Sequence, residues 1–130
     1  MTHAAWVEVD LAALVHNAGV LRRAIPAGTR LGLLVKADAY GHGLEMGARA
    51  AVDGGADQLM VATLDEGLAL RSAGIEAPIL VVYPIPPEGV ADAVAANLEL
   101  SVSGLGSARQ TLDAWAAQAA SHWSANRCGL

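Results

Sequence analysis

The sequence contains a single lysine, Lys36, at the end of an uncharged and mostly apolar run, Leu31 to Val35. An amine is a poor nucleophile while it stays protonated, and apolar surroundings disfavour the charged form. Leu33, Leu34 and Val35 therefore predict a lowered pKa for Lys36. Position alone also fits a plainer role, since most lysines beside apolar runs extend their ammonium to solvent.

Directly after Lys36 comes Ala37-Asp38-Ala39-Tyr40-Gly41-His42-Gly43. Gly41 and Gly43 can supply backbone conformations closed to other residues and let a helix start near the strand end, where its positive dipole suits an anion. Tyr40, taken by itself, reads as a rim aromatic packed on the next helix. His42, between two glycines, reads as a turn or capping residue. His3, His16 and His122 are scattered without metal-ligand spacing, and Cys128 adds nothing to them, so no metal site is predicted. Asp10, Asp65 and Glu66 fall at predicted helix starts, where an acidic side chain complements the dipole.

The elements that must position these residues alternate. Trp6-Val7-Glu8-Val9-Asp10 suits a short half-exposed strand, and Leu11, Leu14, Ala18, Leu21 and Ile25 then mark a helix stripe that stops before Pro26. Leu31 to Val35 lacks alternation, which predicts a strand buried on both faces, as in a parallel sheet. A helix over Leu44 to Val52, a strand over Leu59 to Ala62 and a helix over Leu64 to Ser72 follow. The pattern then repeats as a strand over Ile79 to Val82, a helix through Ala96, a strand over Leu98 to Val102 and a helix over Ser107 to Ala120. Such alternation predicts an α/β fold with a parallel sheet. A (β/α)₈ barrel takes about 250 residues, so this chain has room for about half of one, some four to five βα units. In barrels, chemistry sits at the carboxyl ends of strands, which is where Lys36 falls.

The string Val35-Lys36-Ala37-Asp38-Ala39-Tyr40-Gly41-His42-Gly43 resembles the signature of alanine racemases around the lysine that forms a Schiff base with pyridoxal 5'-phosphate. WVEVDLAALVHN, VATLDEGLALRSAGI and ILVVYPIPPE resemble the same family in the same order, over roughly residues 5 to 103. The resemblance implies the amino-terminal part of a (β/α)₈ TIM-type barrel, ending before a carboxyl-terminal β domain. It also implies that Lys36 holds pyridoxal phosphate and serves as base on one face of the substrate carbon, while Tyr40 hydrogen-bonds the phosphate. The implied reaction is the interconversion of L- and D-alanine by a homodimer. Its opposing base would be a tyrosine of the later domain, donated by the second subunit. Tyr83 is not at a position that could stand in for it. Residues 1–120 are expected to form the barrel half and residues 121–130 a tail outside the resemblance, so that the chain alone is incomplete and inactive. Two other readings use the same residues: a non-catalytic pyridoxal-phosphate-binding protein of the same barrel superfamily, and an inactive interaction module.

Composition narrows the partners. The formal charge of −5 and the absence of a basic stripe argue against nucleic acid. No run approaches the ~18 apolar residues needed to cross a bilayer, and the start has no signal-peptide pattern. With one cysteine there is no internal disulfide, so a reducing, cytoplasmic location is expected.

Overall fold

The computed structural model of the protein describes residues 5–125, and side chains through residue 118. His3 and Cys128 lie outside the described residues, as does the side chain of His122. Helix α1 (Leu11–Ala24) opens the order. Asp10 caps it, its Oδ1 accepting from Ala13 N–H at 3.0 Å. Then come β1 (Gly32–Leu34), α2 (Lys36–Gly41), α3 (Leu44–Asp53), β2 (Gln58–Val61), α4 (Leu64–Ser72) and β3 (Ile79–Val81). A 3₁₀ turn (Pro87–Gly89), α5 (Val90–Ala95), β4 (Glu99–Leu100) and α6 (Leu105–Ala125) complete it.

The strands form one four-stranded sheet in the order β1-β2-β3-β4, every pair parallel. Each strand is followed by a helix, so the fold is α/β and corresponds to part of a (β/α)₈ barrel. Register runs Leu33 with Leu59, Leu59 with Ile79 and Leu80 with Glu99. Leu59, Val61, Ile79 and Val81 alternate into a core completed by Val35, Ala39, Ala48, Ala51, Leu70 and Ile75.

The structure corrects three sequence expectations. Trp6 to Asp10 is not a strand, and Trp6 and Val7 are exposed. Alternation suited a strand there, but a strand needs a neighbour to take its backbone groups, and none of the described strands pairs with this segment. Second, β1 is not buried on both faces. It lies at the sheet edge, Leu34 is 36% exposed, and the sheet face carrying Leu34, Met60 and Leu80 is only half covered. Third, α6 continues past Ala120 to Ala125, because Ser121 to Ala125 contains no glycine or proline to stop it.

Charged side chains tie the connections to the sheet. The Arg71 guanidinium donates to four carbonyls, Ile75, Ala77, Ala96 and Asn97, which pins the loops entering β3 and β4 to the end of α4. Asp57 accepts from Leu31 N–H and from Arg22, joining α1 to the entrances of β1 and β2. These contacts sit at the amino ends of the strands, opposite the edge that carries Lys36.

Helix α3 approaches that edge closely only because residue 47 has no side chain. A Cβ at Gly47 would lie 2.5 Å from Ala39 Cβ. Alanine would contribute roughly 1 kcal/mol of helix propensity, but overpacking against a fixed methyl costs about 1–3 kcal/mol. Gly47→Ala is therefore expected to lower the urea midpoint of unfolding despite the better helix former. Adding Ala39→Gly should restore it; a midpoint that rises in the single variant would contradict the close contact.

Candidate functional site

The chain leaves β1 through Val35, and from Ala37 to Tyr40 it turns with the opposite hand to an ordinary helix. These four residues have φ of 52°, 57°, 51° and 56°, with ψ between 35° and 54°. That is the left-handed helical conformation, which costs an L-residue roughly 1–2 kcal/mol each. None of the four is glycine, and of Ala, Asp and Tyr only Asp enters this region with any ease. Gly41 and Gly43 flank the turn with φ of 89° and 88°, as their placement in the sequence suggested.

Several hydrogen bonds hold the turn. Ala39 N–H donates to Val35 C=O at 2.9 Å and Gly43 N–H to Asp38 C=O at 2.9 Å. The Asp38 carboxylate accepts from Leu44 N–H at 2.7 Å and so caps α3. His42 Nδ1 lies 2.7 Å from Ala39 C=O, a turn-closing contact and not one to a reacting group. Ala39 is buried against α3, whereas Tyr40 is 59% exposed. Tyr40 is thus not a packed rim aromatic.

Glu66 binds the turn to the rest of the edge. One of its oxygens accepts from Ala37 N–H at 2.7 Å, and the other from Ala62 N–H at 2.8 Å and Thr63 N–H at 3.3 Å. Thr63 reciprocates by accepting from Glu66 N–H, which completes a capping box at the start of α4. Sequence reasoning assigned Glu66 a helix-start role, and that is correct as far as it goes. The Thr63-Leu64-Asp65-Glu66 spacing signals the capping box; nothing local signals the reach to Ala37, 29 residues away.

Lys36 is half-buried at the carboxyl end of β1, and its ammonium donates to the Tyr83 hydroxyl at 3.2 Å. This hydrogen bond, reinforced by the charge effects of Tyr83, Tyr40 and Glu66, holds the Lys36 pKa above the ordinary lysine range; desolvation opposes it and is outweighed. The expectation of a lowered pKa is therefore overturned. Leu33 to Val35 belong to the strand behind Lys36, and Leu34 is itself exposed, so they do not enclose the amine. Tyr83, 47 residues from Lys36 along the chain, also lines an open cleft of about 380 Å³ with Ala62, Thr63, Asp65 and Ile85.

Lys36, Tyr40, Glu66 and Tyr83 thus meet at one sheet edge, contributed by the ends of β1, β2 and β3. The arrangement offers an accessible amine, two phenols and a carboxylate whose oxygens are occupied by backbone N–H groups. Among the described residues, no group of three or more His, Cys, Asp or Glu could hold a metal ion. Nor is any described helix long and apolar enough to cross a membrane.

Comparison with known proteins bears on this edge. The family described as "Alanine racemase, N-terminal domain" matches residues 9–125. The alanine racemase of Geobacillus kaustophilus is 50% identical over 97 residues, which is 75% of this chain and 25% of that protein. That of Synechocystis is 50% identical over 91 residues, 70% of this chain and 24% of that protein. Among solved structures, the Bacillus anthracis alanine racemase with bound L-Ala-P superposes with a TM-score of 0.81 at 38% identity, covering 88% of this chain and 30% of that one. The chain spans about a quarter of the length of the curated relatives it matches.

The Glu66 contacts give a direct test. Glu66→Ala leaves Ala37 and Ala62 N–H without their carboxylate and should cost roughly 2–4 kcal/mol in urea unfolding. Glu66→Gln, which keeps one acceptor oxygen, should recover part of that. Equal stabilities for wild type and Glu66→Ala would show that the carboxylate does not hold the turn.

Proposed function

The chain belongs to the family of alanine racemase amino-terminal domains, and from that premise we propose that it supplies the lysine-bearing part of a pyridoxal-phosphate-dependent enzyme interconverting L- and D-alanine. The observation that carries this reading is the accessible amine of Lys36 at the carboxyl edge of a barrel-type sheet, with Tyr40 in the turn that follows. Function in such folds concentrates at that edge.

The residues fit such a cofactor. An aldehyde needs an amine that is reachable from solvent, and Lys36 presents one. A phosphate needs donors, and the exposed Tyr40, within electrostatic reach of Lys36, carries a hydroxyl that can donate. In this reading Lys36 holds the cofactor covalently and Tyr40 binds its phosphate. When bound, pyridoxal phosphate acts as an electron sink for negative charge at the substrate α-carbon.

Released when the substrate amine takes its place on the cofactor, Lys36 would then take or return a proton on one face of that carbon. Racemisation needs a second acid/base group on the opposite face. Tyr83 does not meet that requirement, because it is hydrogen-bonded to Lys36 at 3.2 Å, which leaves no space for a carbon between them. Glu66 is engaged by three backbone N–H groups. The family resemblance implies that the opposing group lies outside the described residues. We take it to be a tyrosine of a later domain in a second subunit, and the working enzyme to be a cytoplasmic homodimer.

Two expected outcomes follow for the 130-residue chain. Incubation with pyridoxal phosphate and borohydride should leave a reduced pyridoxyl adduct on Lys36, seen by peptide mass mapping and missing from Lys36→Ala. Racemisation of D-alanine by the chain given pyridoxal phosphate without borohydride should not exceed that of the Lys36→Ala control. A wild-type chain with no adduct at Lys36 would sink the cofactor assignment, and turnover above the control would reveal a second base among these residues.

A further inference from the structure

We propose that Tyr83 is a positioning residue for Lys36, its hydroxyl holding the ε-amino group over the end of β2 at the carboxyl edge of the sheet. The inference rests on the proposed function only in giving that amine a task. The contact itself is independent of any cofactor.

The backbone makes Tyr83 a fixed post. Val82 N–H donates to Val61 C=O at 2.9 Å and Tyr83 N–H to Ala62 C=O at 3.2 Å, which extends the pairing of β2 and β3 past the last strand residue. Pro84 follows at once, and a residue before proline is restricted to extended conformations. The phenol is therefore carried on a constrained stem, although its ring is 53% exposed.

Lys36 has the opposite character. Its four-carbon stem carries about 2 kcal/mol of rotamer entropy when free. It follows β1, whereas Tyr83 follows β3, so the contact spans the end of the intervening strand β2. The amine nitrogen lies 3.2 Å from the Tyr83 oxygen and 5.4 Å from the ring centroid. It thus approaches the hydroxyl end of the ring, so a hydrogen bond dominates over attraction to the π face. Tyr83 also lines the open cleft it shares with Thr63, Asp65 and Ile85, so the phenol that holds the amine borders that space.

The groups that act on the amine are Tyr83, Tyr40 and Glu66, and the hydrogen bond to Tyr83 is the largest influence. Removing only that hydroxyl should therefore free the amine and move its titration in a known direction. Because Lys36 is the single lysine of the chain, ¹³C-labelled lysine yields one Cε resonance to follow. In the wild-type chain that resonance should titrate above free lysine and show nuclear Overhauser contacts from the Lys36 ε protons to the Tyr83 ring. Tyr83→Phe keeps the ring and the fold, checked by the amide spectrum, and should shift the midpoint to lower pH. Tyr40→Phe should shift it less.

Wild-type protein without the Overhauser contact, or Tyr83→Phe with an unchanged midpoint, overturns the positioning role. Borohydride trapping of pyridoxal phosphate separates this outcome from the proposed function. An adduct at Lys36 with no effect of Tyr83→Phe on the resonance would reject Tyr83 and leave the cofactor reading intact. A shifted midpoint with no adduct would do the reverse.

Discussion

Four successive L-residues in a left-handed turn oppose their own steric preferences by several kcal/mol, at roughly 1–2 kcal/mol for each residue. Such a segment persists only where its surroundings over-determine it. Here the surroundings are the Glu66 carboxylate on Ala37 N–H, the Asp38 carboxylate on Leu44 N–H, and the seat that Gly47 leaves for Ala39. Without the turn, the chain would leave β1 directly into α3. Neither Lys36 nor Tyr40 would then keep its place at the sheet edge. The site depends on this local strain and on the contacts that offset it.

Glu66 makes the strain a property of the sheet and not of one loop. Its two oxygens span the ends of β1 and β2, and through the capping box the same side chain starts α4. The pairing of Val82 and Tyr83 with Val61 and Ala62 carries this order on to the end of β3. Lys36, Glu66 and Tyr83 therefore sit on successive βα units whose carboxyl ends are joined by hydrogen bonds. At the opposite end of the strands Arg71 and Asp57 do the corresponding work for the connections. The amine can thus be placed accurately although its own side chain is flexible.

What could be read from the sequence follows from the range of the forces involved. The alternating strand and helix periods of residues 31–100 were legible because burial of one face imposes them residue by residue, and the Asp10 cap was legible because it acts over three residues. Lys36 at a strand end was legible for the same reason. The left-handed turn was not: Ala37, Asp38, Ala39 and Tyr40 have no composition that favours it, and only Gly41 and Gly43 hinted at unusual backbone. The Lys36 to Tyr83 contact spans 47 residues and the Glu66 to Ala37 contact 29, so neither leaves a local trace. Trp6 to Asp10 failed in the other sense. Its alternation describes one strand's suitability for pairing, and pairing also requires a neighbour.

The direction in which Lys36 is shifted has a further consequence for how this edge works. Hydrogen bonding to Tyr83 and the fields of Tyr40 and Glu66 favour the ammonium, while desolvation is present but outweighed. An ammonium has no lone pair with which to attack an aldehyde, so the groups that position the amine also bias it toward its less reactive form. The balance rests on exposure, because burial penalises only the charged form and does so more steeply as the edge is covered. Burial of this edge acts in the opposite sense to the hydrogen bond and favours the neutral amine. Position and protonation of the amine are therefore set by the same contact: the Tyr83 hydroxyl that holds Lys36 in place also favours its charged form, and the exposure of the edge keeps desolvation the smaller influence.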